Sequence, residues 1–176
     1  MLQALLKRRK DDAGFTLVEL MIVILIIGIL IAIGLPTFLG ARERAQDRTA
    51  QALLRNGLTA AKVFYTDYSA YKLSTPAVQF NTAAAEAIEP SINFDDTAAD
   101  VSQVLITNIA SAGQQWVQLT TVSGSGWLFC IADVASGTTG PATATNAPGI
   151  WYSRSTASGG TSCNATWTQS VTTWAH

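Results

Sequence analysis

The sequence predicts an α+β fold in which one long N-terminal helix packs on a small antiparallel β-sheet. Three observations lead there. Residues 15–35, FTLVELMIVILIIGILIAIGL, are apolar apart from Thr16, Glu19 and the glycines. Beyond Pro36, Leu54, Leu58, Ala61, Tyr65 and Tyr68 recur at spacings of three and four, as one face of a helix requires. From Lys72 onward the composition shifts to Ser, Thr, Ala, Gly and Asn, with short β-rich runs between turn signals.

Each element follows in order. About 20 apolar residues cross a bilayer as a helix, so residues 15–36 form a candidate membrane span. Residues 1–10, just ahead of it, carry Lys7, Arg8, Arg9 and Lys10 and no acid. The positive-inside rule therefore keeps the N-terminus in the cytoplasm and sends the remainder outward. Past Leu73 the only base is Arg154, against Glu86, Glu89, Asp95, Asp96, Asp100 and Asp133, which suits an outward-facing polar domain.

Two rival readings of the apolar run are an ordinary secretory signal and a plain anchor. Ala32-Ile33-Gly34 has the small residues of a signal cleavage site, but the run is long for a signal core and Pro36 would lie just past the cut. A plain anchor gives no reason for Glu19, since a carboxylate in the bilayer costs roughly 2.5–3.5 kcal/mol on insertion scales. On this reading Glu19 needs a partner that the span itself does not supply.

The helical pattern continues over residues 37–72 through a charged stretch, Arg42, Glu43, Arg44, Asp47 and Arg48. A continuous helix from Phe15 to Tyr71 would be roughly 85 Å long. Pro36 removes one backbone bond in its interior and predicts a kink. Phe64, Tyr68 and Tyr71 extend a neighbouring stripe. Aromatics at helical spacing face a core, and packing explains these and Phe38 better than an electron pathway does.

In the remaining segment, residues 81–89 read as a short helix capped by Asn81 or Thr82 and stopped by Pro90. Residues 101–106 read as a strand. Residues 116–122 and 127–134 form two β-rich runs joined by Ser123-Gly124-Ser125-Gly126, a hairpin signal. Residues 150–155 read as a further strand, 166–173 as another, and 137–149 and 157–160 as loops.

Net charge is only −1, so overall charge predicts no nucleic-acid partner, and the nearly base-free C-terminal segment argues against DNA there. Cys130 and Cys163 are too few and too far apart for a metal cluster. In an outward, oxidising space they read as a disulfide, with two buried free thiols as the alternative. No nucleophile–base set, zinc spacing or phosphate-cradling loop is present, so neither an enzyme nor a cofactor is expected. Asp95, Asp96 and Asp100 lack the full calcium-loop spacing and read as a solvated acidic loop. Trp116, Trp127, Trp151, Trp167 and Trp174 sit in strand-like settings, favouring core packing over a sugar-binding platform. Asn164-Ala165-Thr166 matches a glycosylation triplet that is common by chance, and the lone His176 reads as a frayed tail.

Gly14-Phe15-Thr16-Leu17-Val18-Glu19-Leu20, with the apolar run and Pro36 behind it, resembles the class III signal of type IV pilins and pseudopilins. The resemblance is close from Lys7 to about Tyr71 and looser beyond, and it implies the pilin fold. It divides the chain into a leader (1–14), a membrane and filament-core helix (15–36), an amphipathic helix (37–72) and a globular head (73–176). It also implies cleavage between Gly14 and Phe15 by a prepilin peptidase, N-methylation of Phe15, and assembly through Glu19 and Pro36. Glu19 lies one turn from the new amine and can neutralise its own or a neighbour's, a pairing far stronger in low dielectric than in water. Implied partners are other pilin subunits in a homopolymer, the peptidase, a platform protein and an assembly ATPase, with the membrane as host before assembly. A secretion pseudopilin or a minor pilin with a binding head is the alternative within the family.

Overall fold

The computed structural model describes residues 14–73, 78–109, 115–135, 148–156, 163 and 167–169. The first helix, α1, runs over Leu17–Tyr68 without interruption at Pro36. Contacts divide the chain into two units, with the boundary between Arg42 and Glu43.

In the first unit every residue from 14 to 39 is exposed. Pro36 has no N–H to give the Ala32 carbonyl. The next residue, Thr37, turns its hydroxyl back to the carbonyls of Ile33 (3.0 Å) and Gly34 (3.2 Å). By length and composition α1 can cross a membrane.

In the second unit α1 buries one stripe, Ala50, Leu54, Gly57, Leu58, Ala61 and Phe64, which keeps the expected Leu54, Leu58 and Ala61 while Tyr65 is only half-buried. A Cβ at Gly57 would lie 3.3 Å from Val104 Cγ1 and 3.4 Å from Leu119 Cδ1, so glycine there lets the helix approach the sheet closely. The aromatic stripe is corrected in part. Phe64 and Tyr71 are buried, but Tyr68 stays 46 % exposed, stacking on Phe64 with ring centroids 4.6 Å apart. Nor does the helix reach Tyr71. It stops at Tyr68 because Ser69 takes a left-handed conformation (φ 55°), its N–H still bonded to the Tyr65 carbonyl at 2.7 Å.

The second helix, α2 (Thr82–Ile88), begins as the sequence indicated. Asn81 is the N-cap, its side chain accepting from the Ala84 N–H at 2.9 Å, and Pro90 follows the C-cap Glu89. Five strands follow: β1 (Asn93–Asp95), β2 (Gln103–Ile109), β3 (Trp116–Val122), β4 (Trp127–Val134) and β5 (Gly149–Thr156). They pair in sequence order. The pairs β2–β3, β3–β4 and β4–β5 are antiparallel, while β1 joins β2 in parallel. The short β1 was not foreseen, and it makes the sheet mostly rather than wholly antiparallel. The expected strand over 166–173 is also corrected. Its described part, residues 167–169, makes one bridge, Thr168 to Tyr152, while the Trp167 side chain is buried. Asp95, at the end of β1, accepts from the N–H and hydroxyl of Thr97, both at 2.7 Å. Those bonds hold its carboxyl below the ordinary range.

Alternation along β4 gives the sheet two buried faces. Phe129 and Ile131 join Val117, Leu119 and the α1 stripe in one cluster. Leu128, Cys130, Ala132 and Val134 join Trp116, Trp151, Cys163 and Trp167 in the other. Cys130 and Cys163 are disulfide-bonded. This cross-link holds Cys163 against the sheet face opposite α1, beside Trp167. Three of the tryptophans are thus core residues, as the strand settings suggested. Trp127 is half-buried beneath the Arg154 guanidinium, 4.2 Å from its ring centroid. Trp174, His176 and the Asn164 triplet lie outside the described residues.

A polar cluster joins the end of α1 to β4. The Tyr71 hydroxyl donates to Asp133 at 2.5 Å, Lys62 approaches Asp133 at 3.7 Å, and the Tyr65 hydroxyl donates to Gln115 at 2.9 Å. Burial first, then the Asp133 carboxylate, pushes the Tyr71 phenol far above its ordinary value of 10.0. The neutral phenol is therefore the folded form. Its contribution is intact below about pH 10 and is lost as pH rises beyond that, where the unfolded chain gives up the proton. Thermal melts from pH 8 to 11 should show stability falling at the alkaline end, with a shallower fall for Tyr71→Phe. Reducing the disulfide should cost the folded head roughly 3–4 kcal/mol by chain entropy, read as a lower denaturant midpoint.

Candidate assembly site

Gly14, Phe15 and Glu19, expected to serve processing and assembly, lie at the N-terminal end of α1, while Pro36 lies in its interior. Gly14, Phe15 and Thr16 precede the helix in exposed, non-helical backbone, and no atom lies within 4 Å of a Cβ built on Gly14. The bond between Gly14 and Phe15 is thus accessible on both sides. Phe15 is 87 % exposed.

The first turn corrects the expectation that Glu19 has no partner within its own span. The Thr16 N–H and hydroxyl both donate to Glu19 Oε2, at 3.0 and 3.1 Å, and the Glu19 N–H donates to Thr16 Oγ1 at 3.2 Å. This is a reciprocal capping box, satisfying two of the N–H groups that every helix leaves open at its start. The signal was present in the sequence as Thr16-Leu17-Val18-Glu19 ahead of an apolar run. The box supplies hydrogen bonds but no positive charge. Glu19 is an acid in an otherwise apolar stretch, and its own first turn offers it no counter-charge.

From Phe15 to Leu39 the helix presents large apolar side chains on every side. They are between 48 % and 87 % exposed, and within this stretch Glu19 is the only ionisable residue. A helix apolar all round belongs in a membrane or in a protein core. Pro36 lies within this surface. Cys130 and Cys163 belong instead to the buried layer of the head.

The charged stretch beyond Gly40 holds a residue that sequence reasoning missed. Asp47 is half-buried and accepts from the Ser123 hydroxyl at 2.7 Å and from the Ser125 hydroxyl. Gln46 lies directly over Gly124, where a Cβ would meet its amide nitrogen at 2.7 Å. The β3–β4 turn therefore clasps the helix at Gln46 and Asp47. Ser123-Gly124-Ser125-Gly126 carries the sequence signal for this turn, but nothing in it points to the helix. Among the described residues, no three of His, Cys, Asp or Glu lie together as metal ligands would.

Comparison with known proteins bears on this terminus first. Residues 9–35 match the family model for the prokaryotic N-terminal methylation motif. A type IV major pilin protein of Myxococcus xanthus is 45 % identical over 60 residues, 34 % of this chain and 27 % of that relative. A type IV major pilin protein of Neisseria gonorrhoeae is 41 % identical over 64 residues, 36 % of this chain and 30 % of that relative. The chain thus spans less than a third of either. The match to the type IV wide pilus major component of Thermus thermophilus reaches into the head: 30 % identity over 115 residues, 65 % of this chain and 86 % of the relative. The chain belongs to the type IV pilin family. Its long helix on a mostly antiparallel sheet is the pilin fold, and as a pilin it is a structural pilus subunit, not an enzyme. No solved structure matches it.

In a pilin the capping box sits at the terminus that the methylation motif describes. Replacing Thr16 by Val should remove both of its hydroxyl bonds while keeping the shape. The cap contributes about 1 kcal/mol. Amide exchange at residues 16–19 of the protein in detergent micelles should accelerate about five-fold, while exchange in β3 and β4 stays unchanged.

Proposed function

We propose that this pilin is made as a single-pass precursor of the cytoplasmic membrane, with its N-terminus inside and its head outside, and is then polymerised into an extracellular pilus. The observation that carries the reading is the all-round apolar surface from Phe15 to Leu39, with a single acid, Glu19, in its first turn. Lipid covers that surface in the precursor, and other copies of the same helix cover it in the filament. The basic residues Lys7 to Lys10 keep the leader in the cytoplasm.

A prepilin peptidase cuts between Gly14 and Phe15 in the exposed backbone before the helix, and the new Phe15 amine is methylated. Methylation keeps its positive charge. The amine of one subunit then neutralises Glu19 of a neighbour, so an arriving subunit is electrostatically satisfied only beside another. Pro36, which leaves one helix carbonyl without its usual donor, is the place where the helix loosens on packing. A platform protein and an assembly ATPase drive the transfer from membrane to filament, and the product is a homopolymer.

Mass spectrometry of material sheared from the cell surface tests this route. The expected species begins at an N-methylated Phe15 and carries the intact disulfide. A mature chain beginning near Leu35 would overturn the proposal, since it would mean ordinary signal removal and loss of the assembly helix.

A further inference from the structure

A groove of about 520 Å³ opens along the first turns of α1 in the head. Ala50 and Leu53 line it from the helix, and Val122 and Val101 from the sheet side, with Gln46 and Asn56 among the polar residues around them. None of its twelve described lining residues is charged, although Glu43, Arg44, Arg48 and Arg55 lie on the same stretch of helix. Val101 is still 49 % exposed, so this apolar wall is only half covered by its own chain. An anionic ligand would find no counter-charge among these residues. Neutral, apolar side chains would exchange water for aliphatic contact.

The chain presents such side chains where its apolar helical surface ends. Phe38 and Leu39 are 66 % and 48 % exposed. They follow Pro36, beyond the roughly 20 residues from Phe15 that a bilayer covers. They also end the apolar surface by which pilin subunits associate. Covering them needs a neutral apolar surface just outside the membrane span, and the groove offers one at the start of the head.

We propose that Phe38 and Leu39 of a second copy seat in this groove, carrying the helix–helix interface of the polymer on to the head. The inference rests on the pilus reading and adds the partner surface that the helix alone does not specify. The occupant is a neighbouring subunit, not a lipid or a soluble ligand.

The test uses filaments assembled from the whole protein. A benzophenone amino acid replaces Phe38 in a minority of subunits, the rest being unmodified, and the irradiated filaments are digested with trypsin. Cross-links are expected on the peptide 49–55, or on Val101 or Val122, of another copy. Cross-links confined to residues 15–36 of other copies, or falling on head residues away from the groove, would overturn the inference while leaving the pilus reading intact. If the unmodified chain made no filaments at all, both would fall.

A second arm places a charge in the groove. Ala52→Arg sits at an exposed helix position, so the head should keep its far-UV circular dichroism and its disulfide while filament yield falls at least ten-fold. Ala87→Arg, exposed on α2, should leave the yield unchanged. Ala52→Arg filaments at the unmodified level would also overturn the inference.

Discussion

The physical constraint behind the whole molecule is an apolar helical surface that its own chain leaves bare. Between Phe15 and Leu39 every large side chain is about half exposed or more, and burying such surface is worth roughly 25 cal/mol per Å². No isolated soluble form escapes that cost. Lipid or a bundle of sister helices must cover the surface, and both provide an environment in which Glu19 is tolerable only with help. Thr16 supplies part of that help through the capping box, and a cation from outside the helix would complete it. One helix thus serves two hosts because its chemistry asks the same thing of each.

The head solves a different problem, which is to hold a sheet on half of a helix whose other half is committed elsewhere. Gly57 brings α1 close enough for Val104 and Leu119 to pack against it. The opposite sheet face would otherwise expose Leu128, Val134 and Trp151. It is covered by Trp167 and by Cys163, which the disulfide joins to Cys130. Burial on both faces explains why β3 lacks the apolar–polar alternation of a half-solvated strand, with Gln118, Thr120 and Thr121 buried among its apolar residues.

Much of this was legible in the sequence because its signals are local. The apolar run, the Asn81 cap and the Ser-Gly-Ser-Gly turn each act within a few residues, and β3 and β4 appear at the predicted boundaries. What escaped depends on partners far along the chain. Gly57 has meaning only beside residues about fifty positions later. The Tyr71–Asp133 bond joins residues 62 apart. The three residues of β1 exist as a strand only through their pairing with β2. Ser69 ends the helix by adopting a conformation that serine rarely takes, so no residue type marked the stop. The Thr16–Glu19 box is the exception, a local pattern passed over because Glu19 was judged by its membrane cost alone.

The clasp at Asp47 also has a mechanical side. Suppose the head of this pilin were pulled while its helix was held. Force must then cross from α1 to the sheet through the Ala50–Phe64 seam and the serine hydroxyls on Asp47. Packed aliphatic side chains resist shear together, whereas hydrogen bonds to a single carboxylate can break and re-form individually. The turn between β3 and β4 is thus the separable part of this attachment, joined to α1 by hydroxyl bonds to one carboxylate rather than by an interlocked seam.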